Sequence, residues 1–329
     1  MVQKKPILVL VACLLLWPIR DSYPQEKVRV GYGAVSIQSG LVWIAKQKGL
    51  FAKYGLAPEI IYIPGGSINI HALISGNLDL TQLSAAPGVA ANLEGADIVY
   101  IAGFLDKLNY QLVTRPEIKS IEQLKGKKLG ISRFSSSADF GLRAILKRLG
   151  IDPAKEVIIL QIGDEPARSA ALQTGNIDGT VMNAPFGIEA AKLNLNVLAD
   201  SLKIGIPFFN TGLLGSRRFL DQQEGKVLNF LRAYLEAIKV LKTEKEYSLK
   251  ALSQFTRVKD LKAVEEGYDY FKDQIQDVPH PSLEAMQAVV AQIAETNSKA
   301  RRVDAQTYIS DRYLKQLENE GFVKRLWGK

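Results

Sequence analysis

The feature that most constrains this chain is that it carries one strand–helix pattern twice. Residues 28–50 align with residues 129–151 at a spacing of 101, which sets Gly40, Leu41, Ile44, Lys46 and Gly49 against Gly141, Leu142, Ile145, Lys147 and Gly150. Residues 72–79 (ALISGNLD) match 171–178 (ALQTGNID) at a spacing of 99, and Ala86-Pro87 matches Ala184-Pro185 at 98. The order is preserved and the shifts are no larger than short loop insertions. Two copies predict two lobes with the same strand order, since a solenoid needs three or more units.

Within each copy apolar strand candidates alternate with helical periodicity, which implies parallel pairing and an α/β lobe. In the first copy the strands read as 28–32, 59–63, 78–83 and 98–102, and the helices as 38–48, 68–75 and 87–93. Gly49, Gly76 and Gly95 stand where helices end. The second copy repeats the order with strands at 129–131, 157–161, 177–182 and 196–198 and helices up to Leu149, at 167–174 and at 185–192. Residues 205–216 read as the apolar return to the first lobe. Beyond Asp221 the pattern turns helical, at 226–241, 245–255, 261–271, 283–293 and 305–319, and these helices are expected to pack on the first lobe.

Ligands of open parallel sheets bind outside the carboxyl ends of the strands. Equivalent loops from two lobes therefore predict a cleft between them. In the second lobe the loop is RFSSS, residues 133–137, opening a helix whose apolar spacing runs Ala138, Leu142, Ile145, Leu146, Leu149. Ser136 and Asp139 have the S-x-x-D spacing of a capping box, which explains them without any ligand. The binding reading gives Ser135, Ser136 and Ser137 as hydroxyl donors at a helix start, with Arg133 as a fixed positive charge and Phe134 as an apolar wall. Ser36, Gln38 and Ser39 answer them from the first lobe. Ser84 and Ala85, with Asn183, Pro185 and Phe186, close the remaining edges. Such a set favours a small organic anion, a sulfonate or carboxylate, over a neutral heterocycle.

Other chemistry is sparse. The two histidines, His71 and His280, have no metal donor at ligand spacing, and His71 reads as a helix-face residue. Neither a G-x-S-x-G elbow nor a Gly-rich phosphate loop occurs. Asp79 and Asp178, each after G-N-x, read as holding a helix-to-strand turn rather than as a catalytic pair. Arg168 reads equally as a ligand contact or as surface charge. The formal charge of +8 is scattered among acidic residues without a basic helix, which argues against nucleic acid as partner.

Residues 1–24 are set apart from the fold. Lys4 and Lys5 precede an apolar run at 7–17, too short for the roughly 20 residues that span a bilayer, so the segment reads as an export signal. Cys13 is the only cysteine. Leu10-Val-Ala-Cys13 fits a lipoprotein cleavage box, with Cys13 lipidated, but Leu14–Trp17 continues the apolar run, and cleavage near residues 23–26 is the other reading. Without Cys13 the mature chain has no disulfide and no thiol chemistry.

Residues 43–56 (WIAKQKGLFAKYGL), 75–79 (SGNLD), 124–130 (LKGKKLG), 135–139 (SSSAD) and 175–178 (GNID) with 183–185 (NAP) together resemble the periplasmic solute-binding proteins of ABC transporters. The branch is the one associated with nitrate, alkanesulfonates, taurine and the pyrimidine precursor of thiamine. The resemblance implies a two-lobed α/β binding protein of type II with a central cleft and a helical C-terminal region. It implies a monomer without cofactor that captures a small-molecule solute in the periplasm and delivers it to an ABC-transporter permease. The expected division is lobe 1 at 25–111 and 212–329 and lobe 2 at 112–211, with hinges near 110–114 and 210–214. An enzyme or a sensor on the same fold, acting on a pyrimidine-type or other small heterocycle, is the alternative. The branch's fungal enzyme type carries a cysteine cluster that this chain lacks.

Overall fold

The computed structural model describes residues 25–328, apart from 184–185, 188–189 and 191–192. The export segment with Cys13, and Pro185, lie outside the described residues.

Two five-stranded sheets organise the chain, and they share one topology. The first holds β1 (Glu26–Tyr32), β2 (Leu56–Tyr62), β3 (Leu80–Leu83), β4 (Ile98–Lys107) and the late strand β10 (Pro207–Ser216), in the order β2-β1-β3-β10-β4. The second holds β5 (Gln111–Thr114), β6 (Lys128–Ile131), β7 (Ile158–Gln161), β8 (Gly179–Met182) and β9 (Asn196–Asp200), in the order β7-β6-β8-β5-β9. In each, the first three strands run parallel, and the fourth position is filled by a strand antiparallel to both neighbours. That strand is exchanged: β5 follows β4 into the second sheet, and β10 returns to the first. The duplication read in the sequence is thus a duplication of topology.

Asp79 and Asp178 show how far the copies agree. The Asp79 carboxylate accepts from the Arg29 backbone N–H at 2.7 Å, while the Asp79 N–H donates to the Arg29 carbonyl. Asp178 makes the same exchange with Lys128, its carboxylate accepting at 2.9 Å and its N–H donating to the Lys128 carbonyl. Each aspartate starts one parallel strand in register with its neighbour, the structural role its place after G-N-x implied.

The helices pack as their apolar stripes require. The helix Glu224–Thr243 lays Phe230 and Tyr234 against Phe51 and Phe104 of the first lobe, with ring centroids 5.0–6.1 Å apart. The helix Leu283–Ala294 buries Met286, Val289, Val290 and Ile293 in a core that also contains Ala86 and Val89 of the first lobe and Leu142 and Ile145 of the second. One apolar seam therefore crosses between the lobes. Expected helix 305–319 is a 3₁₀ turn, Ala305–Tyr308, then a bridge of Ile309 to Tyr100 on β4, then a helix Arg312–Asn319. No helix of the described residues is long and apolar enough to cross a membrane.

Strand membership revises the expected boundaries. Pro207 pairs with Lys107 and Thr211 with Leu105, so residues 207–211 lie in the first sheet rather than the second. The crossings run through residues 108–110 and 201–206, just before the strands where the hinges were expected. Ser201 ties them together: its Oγ donates to the Leu108 carbonyl and accepts from the Tyr110 N–H, each at 2.8 Å. β5 was not anticipated, because four residues following a ten-residue strand carry no turn signal of their own.

Candidate functional site

The carboxyl ends of the parallel strands in both sheets face one cleft, which encloses about 660 Å³ with its open mouth included. Lobe 1 contributes the turn 33–39 after β1, Tyr62 at the end of β2, Gly65 and Gly66 opening α3 (Gly66–Ile74), Gln82 to Ser84 before α4 (Ala85–Leu93), and Asn210 and Thr211 on β10. Lobe 2 contributes Ser132 and Ser136–Ala138 at the start of α5 (Ser137–Arg148), Asp164, Glu165 and Arg168 at the start of α6 (Glu165–Gln173), and Asn183 after β8. Tyr110, from the crossing, forms the inner wall.

Seven of the sequence-predicted residues meet here: Ser36, Gln38, Ser39, Ser84, Ser136, Ser137 and Asn183. Ser36 and Ser39 pair through their hydroxyls at 3.1 Å. The carbonyl of Gln38 accepts from Gln82 Nε2 at 2.7 Å, and Gln82 Oε1 in turn accepts from the buried Tyr234 hydroxyl. Ser84 Oγ meets Ser137 Oγ at 2.8 Å across the cleft. Ser136 serves both readings at once. Its Oγ accepts from the Asp139 N–H, capping α5, and from the Ser132 hydroxyl, while it lines the cleft.

The remaining predicted residues stand elsewhere. Ala85 is buried behind Ser84 as the first residue of α4. Arg133 lies outside the lining and packs its aliphatic chain over Gly65, where a Cβ would come within 3.4 Å of Arg133 Cδ; the positive φ of 86° at Gly65 excludes one in any case. Phe134 is half exposed and, with Ser135, borders a groove lined by Ile70, His71 and Ile74 on the outer side of α3. The cause is Ser135 itself: its positive φ turns the loop, and its N–H is held by the Asp139 carboxylate at 2.9 Å, so residues 133–135 point away from the cleft. Phe186 packs half-buried against apolar clusters of both lobes and does not line the cleft.

What the sequence reading missed is the acidic start of α6. Asp164 caps the helix by accepting from the Ala167 N–H and also accepts from the Tyr62 hydroxyl at 3.2 Å, linking the two lobes at the rim. Glu165 is buried, and burial pushes its pKa up to about 7 against the opposing pull of Arg168 and of the Asn183 backbone N–H, which donates to Glu165 Oε1 at 2.7 Å. Arg168 is not surface charge: its guanidinium is spent on Thr180 Oγ1 and on the carbonyls of Gly163 and Val181, 2.7–3.1 Å away. It lies 3.7 Å from Glu165 Oε1. Burial pushes the Tyr110 hydroxyl up to about 12. The signal that would have found Glu165 and Arg168 was the repeat, since they stand 99 residues after Gly66 and Asn69 in otherwise matching helices.

Comparison with known proteins agrees with this geometry. The chain is 30% identical over 240 residues to an aliphatic sulfonates-binding protein of Escherichia coli (strain K12), covering 70% of this chain and 71% of that one. Its fold matches the alkanesulfonate-binding protein SsuA of Xanthomonas axonopodis pv. citri, solved with MOPS bound, at a TM-score of 0.70, 21% identity and coverage of 88% and 99% of the two chains. It also matches the nitrate-binding protein NrtA of Synechocystis PCC 6803 at a TM-score of 0.70, 12% identity and coverage of 90% and 89%. These relatives are binding proteins rather than enzymes. Residues 37–246, which span most of the repeat and most of the cleft, match the NMT1/THI5-like family, and the chain belongs to that family.

Proposed function

We propose that this protein is the extracytoplasmic solute-binding component of an ABC importer, exported to the periplasm, which closes two lobes over a small solute bearing an anionic group such as a sulfonate or carboxylate. One observation carries the reading: matching loops of two duplicated sheets meet at a cleft lined by buried polar atoms that have no partner within the protein. Such atoms cost free energy unless a ligand satisfies them. The anionic group is held by neutral donors rather than by a cationic side chain. In lobe 1 neither Gly65 nor Ser84 places a side-chain cap on its helix, so the first N–H groups of α3, and in α4 those of Ala85 and Ala86 ahead of Pro87, remain available. Beside them the buried Asn210 Nδ2 has no partner.

Binding without turnover is the better reading, since the relatives described above are binding proteins. Native mass spectrometry of the protein purified from its exporting cells is the test. We expect a small molecule that leaves on denaturation chemically unchanged and rebinds in calorimetry. Recovery of a converted compound would instead assign an enzyme to this fold.

A further inference from the structure

Among the described residues, the unpartnered side-chain atoms buried around the cleft do not balance for an anion. One is a donor, Asn210 Nδ2, and three are oxygens: Gln38 Oε1 from lobe 1, and Asn183 Oδ1 and Glu165 Oε2 from lobe 2. All four residues are more than nine-tenths buried. An anionic group meeting these oxygens is repelled unless one of them carries a hydrogen. An amide that turns over only exchanges one end for the other, whereas a carboxyl gains a donor by taking a proton. Glu165 is the one carboxyl in this set; the Asp164 carboxylate already accepts from the Ala167 N–H and the Tyr62 hydroxyl. Charge points the same way. The charged side chains of the described lining are Asp164, Glu165 and Arg168, which sum to one negative charge with Glu165 ionised and to zero with it protonated.

We propose that the Glu165 carboxyl enters the complex protonated and donates its Oε2–H to an oxygen of the solute's anionic group, so that the cleft takes up a proton together with its anion. This rests on the anion-binding reading above and adds the residue that meets the anion from lobe 2. The local geometry selects the oxygen that carries the hydrogen. Oε1 accepts from the Asn183 backbone N–H at 2.7 Å and lies 3.7 Å from Arg168 Nη2, and both contacts favour negative charge on Oε1. Oε2 is left as the hydroxyl, and it is the oxygen without a partner in the protein. A buried O–H with no acceptor is unfavourable, and an arriving anionic oxygen relieves it.

The titratable groups facing the carboxyl are Arg168 on its own helix, Asp164 before it, Tyr62 from the rim of lobe 1 and Tyr110 from the crossing. Burial holds both tyrosines neutral. Arg168 is bound to Thr180 and two carbonyls, which keeps it from covering Oε2. Burial outweighs Arg168 and the Asn183 donors and raises the Glu165 pKa to about 7. Below this pH the free protein already holds the proton, and binding exchanges none. Above it the carboxylate takes a proton from solvent as the anion enters, so affinity falls as pH rises, towards tenfold per unit. A Glu165 that served the solute as an ionised acceptor would give the opposite slope.

Calorimetry with butane-1-sulfonate, whose charge does not change over the range, tests this on the full chain and on Glu165→Gln, at pH 6 and pH 8.5 in buffers of different ionisation enthalpy. For the unaltered protein we expect affinity to fall roughly thirtyfold from pH 6 to pH 8.5, with close to one proton taken up per anion at pH 8.5 and little at pH 6. Glu165→Gln keeps an N–H donor at this position and cannot titrate. It should bind within about threefold of the unaltered protein at pH 6, take up no proton, and bind about tenfold more tightly than the unaltered protein at pH 8.5. Affinity independent of pH, or a Glu165→Gln variant weaker than the unaltered protein at both pH values, overturns the donor role and leaves the anion reading standing. Binding to neither protein at millimolar concentration overturns both. Should the variant fail to fold, the proton count on the unaltered protein decides: no uptake at pH 8.5 refutes the role of Glu165.

Discussion

Asn210 and Arg133 set the residue scale of the site, because charge and position point opposite ways. Arg133 carries the fixed charge that a sequence reading naturally assigns to an anion, yet it lies over Gly65 outside the lining. Asn210 is neutral, and it presents a buried amide with no partner. Replacing Asn210 with Ala is therefore expected to cost ~1.5–3 kcal/mol of binding to a charged ligand group, roughly tenfold to a hundredfold in affinity. Arg133→Ala should change affinity by less than about twofold, within the range of exposed charge effects. Titrating both variants with the co-purified solute checks the pair, and the reverse ranking would return the anion to Arg133. The serines were legible because helix starts advertise themselves through S-x-x-D spacing and apolar periodicity. Glu165 and Arg168 were not, since a buried acid and a buried arginine look in sequence like the polar first turn of an exposed helix.

At the scale of elements, most strands and helices were legible from their punctuation, and those that were not are short or irregular. β5 has four residues, and its strand character comes from lying between β8 and β9 rather than from its own pattern. The segment 305–319 has helical spacing, but tertiary pairing of Ile309 with Tyr100 breaks it in two. The clearest element-level claim concerns the duplicated aspartates. Asp79→Ala and Asp178→Ala each remove a carboxylate that holds a strand start through its backbone N–H, and each should destabilise by about 1–3 kcal/mol. Lying in different sheets with no shared partner, the two losses should add to within about 0.5 kcal/mol in the double variant. Urea unfolding of the three proteins measures this. A large departure from additivity would mean that the lobes do not bear these contacts independently.

At the scale of the whole molecule the lobes touch at the rim and along the α4–α5 seam, so the structure is that of a closed cleft. Ser84–Ser137 and Tyr62–Asp164 are bonds between lobes, and they exist only while the lobes are together. Tyr62→Phe removes one of them without touching either lobe's core. Since such a bond contributes about 1 kcal/mol, solute release should quicken roughly fivefold while association is unchanged, as stopped-flow fluorescence would read. A change confined to the association rate would show that the rim bond forms before the solute is enclosed.

The serine that joins the two crossings couples them mechanically. With Leu108 and Tyr110 of one crossing both bound to Ser201 of the other, the connections cannot twist independently. Sliding of one crossing past the other would break both bonds, whereas rotation about an axis through Ser201 would keep them. In such a rotation a small angular change at Ser201 would become a large displacement at the rim. Occupancy of the cleft would then be written on the outer surface as an angle between the lobes.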